Sequence, residues 1–275
     1  MPELPEVETT LRGIRPHLEG RTIARLVVRD PRLRQPVPDD LPGRLAGAPI
    51  ESIQRRAKYL LISVAGGTAI IHLGMSGSLR VLAGPTPPGP HDHWDLELEG
   101  GSMLRLHDLR RFGLLLWTPD PPERALTRHP LLAHLGPEPL GEGFDGDLLH
   151  RQSRVRRIAV KPFLMDATVV VGVGNIYANE SLYLAGIHPT RPCNRIAPER
   201  YDRLAAAVRN VLTAAIEQGG TTLRDFVQED GNPGYFVQSL QVYGRTGEPC
   251  PACATPIRQR RIGQRSSYYC PRCQR

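Results

Sequence analysis

The chain has 275 residues, 40% hydrophobic and 5% aromatic, enough apolar material for one large or two ordinary globular domains with an aliphatic core. Its formal charge is +7, with 35 Lys+Arg against 28 Asp+Glu, a balance that suits a phosphate polyanion. The absence of a long apolar run excludes a helical membrane span, and the acidic N-terminus lacks the apolar stretch of a secretory signal, so a cytoplasmic protein is expected.

The first residues are Met1-Pro-Glu-Leu-Pro-Glu-Val7. Met1 precedes a small residue and is expected to be removed, leaving Pro2 with a free secondary amine. An α-amino group titrates near pH ~8, so a useful fraction is unprotonated and nucleophilic at neutral pH. Such an amine can form an iminium with a carbonyl-like carbon, and Glu3 and Glu6 lie within one helical turn to move protons. Taken alone, proline and glutamate here equally suit an ordinary helix start. Leu4, Val7, Leu11, Ile14 and Leu18 then mark one apolar helix face ending near Gly20, with Pro16 expected to distort the last turn.

Short β-rich runs follow at 22–28, 49–54, 59–64, 68–73, 78–82, 94–98, 103–107 and 113–117. Trp94, Leu96 and Leu98 alternate with Asp95, Glu97 and Glu99, the pattern of a half-buried strand. Gly66-Gly67 and Gly100-Gly101 read as hairpin turns, and 84–90 as a proline-rich loop. Regularly spaced short strands argue a β-sandwich or barrel. The proline-dense stretch 119–143 reads as a domain boundary. Helices are predicted beyond it over 145–154, 161–166, 175–185 and 198–218, the last ended by Gly219-Gly220.

Cys250-x-x-Cys253 and Cys270-x-x-Cys273 stand 16 residues apart. Two such turns close a tetrahedron around Zn²⁺ and leave no open position, so one structural zinc is predicted rather than a disulfide framework. Cys193 stands outside the pattern. Arg258, Arg260, Arg261 and Arg265 lie between the pairs and suit phosphate binding, although a solvated charged face has the same composition. Val171-Gly-Val-Gly-Asn175 is a glycine turn entering a helix. It is too short for a dinucleotide or nucleotide-phosphate fingerprint, and a DNA phosphate suits it better, with Asn175 as donor. Met75 and Phe112 sit at strand-to-turn junctions, where such residues are either core or wedges pushed into a base stack.

The stretches Pro2-Glu-Leu-Pro-Glu-Val-Glu8, Arg55-Arg-Ala-Lys-Tyr59, His72-Leu-Gly-Met-Ser76, His91-Asp-His93, Arg110-Arg-Phe-Gly113, Val171-Gly-Val-Gly-Asn-Ile-Tyr177, Gln218-Gly-Gly-Thr-Thr222 and the cysteine hairpin occur in one order along the whole chain. Together they resemble bacterial formamidopyrimidine-DNA glycosylase. The resemblance implies an α+β fold: an N-terminal catalytic β-sandwich with an N-terminal helix (1–130), a helix–two-turns–helix domain with a lesion loop (131–235) and a zinc finger (236–275). It implies a monomeric enzyme of base-excision repair, associated with the nucleoid, whose partner is damaged double-stranded DNA. Such an enzyme removes 8-oxoguanine and formamidopyrimidines, then nicks the strand by β,δ-elimination.

By this resemblance Pro2 attacks the sugar C1′, Glu3 opens the sugar ring and Glu6 lies near the flipped base. Lys58 holds phosphate and assists β-elimination, and Arg265 clamps the flanking phosphates and serves δ-elimination. Met75, Arg110 and Phe112 fill the vacated gap. His72, His91, Arg156, Lys161, Asn175 and Tyr243 contact the DNA backbone. The 218–231 stretch, with Thr221, Thr222 and Arg224, closes over the damaged base. Flipping a base costs a few kcal/mol, which wedges and phosphate clamps offset.

Three positions depart from the family pattern. Leu109 stands where proline is usual, Ser267 where threonine is usual, and Arg224 where some members carry lysine, so charge is kept with altered geometry. Two other readings are carried. One is an endonuclease VIII-type glycosylase for oxidised pyrimidines, against which Leu4 and the Met75, Arg110, Phe112 set speak. The other is a non-catalytic zinc-finger DNA-binding protein, which leaves Pro2, Glu3 and Lys58 together unexplained.

Overall fold

The computed structural model describes residues 2–219 and 240–275. The chain divides into two compact units, the first holding residues 2–134 and the second 135–218 and 240–275.

The first unit opens with α1 (Leu4–Leu18), whose buried face is Leu4, Val7, Leu11, Ile14 and Leu18 as the spacing predicts. Pro16 does not break it: the helix runs on to Leu18, and Glu19 N–H closes the end on Arg15 O at 3.0 Å. Eight strands follow: β1 (Ile23–Val28), β2 (Ile50–Arg56), β3 (Tyr59–Val64), β4 (Gly67–His72), β5 (Gly77–Leu82), β6 (Asp92–Leu98), β7 (Met103–Asp108) and β8 (Leu114–Thr118). They form two four-stranded antiparallel sheets, ordered β1-β6-β7-β5 and β2-β3-β4-β8. One core joins both sheets and the helix: Leu26, Leu79, Leu96 and Leu106 from one sheet, Ile53, Ile62, Ile71 and Leu115 from the other, and Val7, Leu11 and Ile14 from α1. The expected sandwich is therefore the arrangement present.

Three details differ from the sequence reading. The β3–β4 turn is Ala65-Gly66, and Gly67 is already paired with Val64; a Cβ there would sit 2.3 Å from Thr118 O. Two short helices are additional: α2 (Leu41–Leu45), in a stretch where no element was predicted, and α3 (Pro122–Arg128), inside the stretch read as a domain boundary. Prolines at the first turn of each hid them, although that position tolerates proline. Asp95 is buried instead of solvent-facing, 3% exposed. Arg29 and Arg105 grip its two oxygens at 2.8–2.9 Å, and Arg105 also donates to Thr86 O and Pro87 O, drawing the proline-rich loop over that sheet face. Burial pushes the Asp95 carboxyl up, but the two guanidinium groups outweigh it and hold it at about 2.

The second unit contains α4 (Gly146–Ser153), α5 (Val160–Leu164), α6 (Asn175–Leu184) and α7 (Pro198–Glu217), with a single 3₁₀ turn at Cys193–Arg195. Asp145 caps α4 by accepting from Leu148 N–H at 2.7 Å. Leu149, Phe163, Ile176, Tyr201, Leu204 and Val208 are buried among these helices. The hairpin β9 (Arg258–Ile262) and β10 (Arg265–Tyr269) completes the unit, and a small cluster of Tyr183, Val242, Ile257, Cys250 and Cys270 packs beneath it. No helix among the described residues is long and apolar enough to cross a membrane.

Candidate active site and nucleic-acid interface

In the first unit, Pro2, Glu3 and Glu6 are all buried, the carboxylates at 2% and 1% exposure. Glu6 Oε2 accepts from Glu3 N–H at 2.8 Å, a capping-box bond that fixes the chain just after Pro2. The helix is tied down further by Arg55, whose Nε–H donates to Glu8 at 2.7 Å and whose other arm reaches Ala57 O. Burial raises the Glu8 carboxyl, but Arg55 and Arg12 outweigh it and hold it below the ordinary range. Arg55 thereby couples α1 to the β2–β3 hairpin, whose two-residue tip is Ala57, at φ +55°, and Lys58.

His72 pairs with Tyr59 across β3–β4, with ring centroids 4.9 Å apart. Its Nδ1 accepts from Gly74 N–H at 2.9 Å, which leaves Nε2 to carry the proton. Burial, then the charges of Lys58 and Arg34, push the imidazole down to about 4, so it is neutral at pH 7. Arg34 is exposed and belongs to this cationic corner, a residue the sequence reading missed because its loop carries no motif.

Met75 and the Arg110–Phe112 segment occupy two neighbouring turns. Gly74, at φ +65°, lies so close to Phe112 that an added Cβ would sit 2.3 Å from its carbonyl carbon. Phe112 is 42% exposed and Leu109 52%, so neither is core. The Arg110 guanidinium lies over the Phe112 ring, 4.9 Å from its centroid. His91 is exposed at φ +71°, and its carbonyl accepts from Asp108 N–H.

In the second unit, Asn175 is the first residue of α6, after the turn containing Gly172 and Gly174. Lys161 is 1% exposed, and its ammonium is held by Asn175 Oδ1 at 2.6 Å, Ser267 Oγ at 2.7 Å and Ser266 O at 2.9 Å. Lys161 thus joins the glycine turn to the hairpin from inside the protein. Because the ammonium takes the carbonyl end of the Asn175 amide, its NH₂ end is left as a donor. Arg156 is bound to Asp166 at 2.7 Å and stacked on Phe163, whereas its neighbour Arg157 is exposed with no partner among the described residues. The run Arg154-Val-Arg-Arg157 was the signal for it.

The polar side of α6 faces the hairpin. Asn179 Oδ1 accepts from Tyr268 N–H at 2.8 Å, and Glu180 accepts from the N–H groups of Gln241, Val242 and Tyr243 at 2.8–3.0 Å. The Tyr243 ring meets Tyr268 edge-on at 5.0 Å. Arg265 opens β10 after the Gly263-Gln264 turn and is exposed, as are Arg258, Arg260 and Arg261. The four sulfurs of Cys250, Cys253, Cys270 and Cys273 lie within 4.8 Å of one another. Cys250 and Cys273 are 3.9 Å apart, Cys253 and Cys270 3.5 Å. Tetrahedral zinc–thiolate geometry puts sulfurs about 3.8 Å apart, so the set fits one structural zinc, held by all four cysteines. Tyr183 Oη lies 3.3 Å from Cys250 Sγ and can donate to that thiolate. Thr221, Thr222 and Arg224 lie outside the described residues.

A two-sheet unit with a buried N-terminal proline and acid pair, together with a helical unit carrying an arginine-bearing zinc hairpin, defines the class of zinc-finger DNA glycosylases. Family models agree in three segments: the formamidopyrimidine-DNA glycosylase N-terminal domain over residues 1–115, its H2TH domain over 135–227, and a zinc finger found in FPG and IleRS over 247–275. Formamidopyrimidine-DNA glycosylases of Stutzerimonas stutzeri and Methylococcus capsulatus are 59% and 60% identical, each over 100% of both chains. The crystal structure of the Thermus thermophilus protein superposes with a TM-score of 0.88 at 40% identity, covering 99% of this chain and 98% of that one. A Lactococcus lactis mutant in complex with Fapy-dG-containing DNA gives 0.91 at 33% identity, covering 100% of both chains. The chain belongs to the formamidopyrimidine-DNA glycosylase family.

Proposed function

We propose that this enzyme excises oxidised purines from duplex DNA through the amine of Pro2 and then cuts the strand at the resulting abasic sugar. The observation that carries the assignment is the buried Pro2–Glu3–Glu6 start of α1, braced through Arg55 against the hairpin bearing Lys58. After Met1 removal, the Pro2 nitrogen attacks C1′ as the C1′–base bond breaks, and the base leaves with a proton. Glu3 protonates O4′ as the sugar ring opens, and the nitrogen gives up its own proton to become an iminium. The iminium acidifies the 2′ hydrogens. Loss of one expels the 3′ phosphate, and a second elimination expels the 5′ phosphate. Lys58 and Arg265 hold these phosphates, neutral His72 offers Nε2–H, and Asn175 offers its amide NH₂. Met75, Arg110 and Phe112 occupy the space the flipped base vacates. Zinc holds the hairpin's shape and takes no part in bond breaking.

Borohydride trapping on an 8-oxoguanine·cytosine duplex, followed by peptide mapping, tests the assignment. A cross-link on Pro2 is expected. A cross-link on Lys58 instead, or none despite tight binding, overturns it.

A further inference from the structure

Asp108 is 0% exposed, yet no step of the chemistry above uses it. Its carboxylate receives bonds from both wedge-bearing turns. Ser76 Oγ–H donates to Oδ1 at 2.7 Å, and Ser76 Oγ in turn accepts from Arg110 N–H at 3.1 Å. Arg110 N–H also reaches Oδ1, at 3.2 Å, and Gly113 N–H donates to Oδ2 at 2.8 Å. The Asp108 carbonyl accepts from the buried His93 Nε2–H at 2.7 Å, which anchors the hub to β6. Ser76 immediately follows Met75, while Arg110 and Gly113 bracket Phe112. One buried carboxylate therefore satisfies the backbone of the turn carrying Arg110 and Phe112 and links it to the turn carrying Met75.

We propose that Asp108, acting through Ser76, is a positioning residue that holds Met75, Arg110 and Phe112 as a single preformed wedge. The proposal rests on the wedge reading given above. Leu109, half-exposed and without a ring-fixed φ, does not itself fix the turn, so the carboxylate's bonds do. A wedge set before DNA arrives matters only when a base pair must be opened. It has no bearing on a sugar that is already unpaired.

The test compares two substrates for Asp108→Asn and Ser76→Ala, with Phe112→Ala as reference and circular dichroism melts to verify folding. One substrate is an 8-oxoguanine·cytosine duplex, read by single-turnover excision. The other is a preformed abasic site in a single-stranded oligonucleotide, read by strand cutting. In the Asn variant an amide NH₂ must face a hydroxyl or backbone donor. Excision from the duplex is expected to fall about tenfold or more, with cutting of the single strand unchanged. Ser76→Ala, the milder change, is expected to follow the same pattern and carries the test should Asp108→Asn not fold. Unchanged duplex excision in these variants, or equal loss on both substrates, overturns the proposal. If Phe112→Ala also leaves duplex excision unchanged, the wedge reading itself falls; if it alone reduces excision, only the positioning role falls.

Discussion

The Lys161 ammonium has three protein oxygens around it, two of them on a strand more than 100 residues along the chain. Replacing it with methionine keeps most of the side-chain length and strands those acceptors. The expected cost is about 3 kcal/mol of stability in the helical unit, read by urea denaturation; a loss below about 0.5 kcal/mol would sink the account of Lys161 as an internal tie. His72 makes a different prediction. Its folded value of about 4 lies below the ordinary 6.5, so between these the unfolded chain binds more protons. The stability it contributes is intact above pH 6.5 and is lost as pH falls towards 4. Melts of wild type and His72→Gln over that range should converge, with wild type the more pH-sensitive; parallel curves would contradict a half-buried, neutral imidazole. These settings were not legible in the sequence, because a lysine or histidine announces its charge and not the neighbours that reach it. Pro2, Glu3 and the four cysteines were legible, since each lies within a few residues of the groups that give it meaning.

At the level of elements, the face of α1 could be read from five apolar residues, and the cysteine hairpin from two spacings. The interior of α6 could not. Nearly all of Asn175–Leu184 is buried, polar residues included, so no apolar stripe marks a face. Its logic appears only when Asn179, Glu180 and Tyr183, with Asn175 through Lys161, are seen to hold the hairpin and its approach. Burial pushes the Glu180 carboxyl up, and three backbone N–H groups pull against that shift. Glu180→Gln points an amide donor at one or more of them. It should cost about 2 kcal/mol and speed hydrogen exchange at the Gln241, Val242 and Tyr243 amides; unchanged exchange there would show that the carboxylate does not hold the segment. Asp95 repeats the lesson in a strand: alternation pointed it outward, but its neighbour Arg105 on β7 binds it and draws the proline loop over that face.

For the whole molecule, a +7 chain with exposed arginines on the hairpin should bind damaged duplex with an affinity that falls steeply with salt. An affinity flat across salt would contradict phosphate clamping. The two tryptophans, Trp94 and Trp117, both lie in the sandwich unit, which makes their fluorescence a private reporter of it. Chelating the zinc should abolish DNA binding while leaving that emission unchanged; binding that survives chelation would remove the hairpin from the interface.

The polar spine of α6 also bears on how genes of this family can be recombined. The hairpin looks portable, being a short cysteine-bounded segment at the end of the chain. Yet Lys161, Asn179, Glu180 and Tyr183 supply the bonds that hold it and its approach, and all four lie upstream of α7. A chimera joined just before Cys250 would inherit the metal ligands and lose their matched seat. A crossover placed ahead of α5, carrying both helices with the hairpin, keeps donor and acceptor from the same parent.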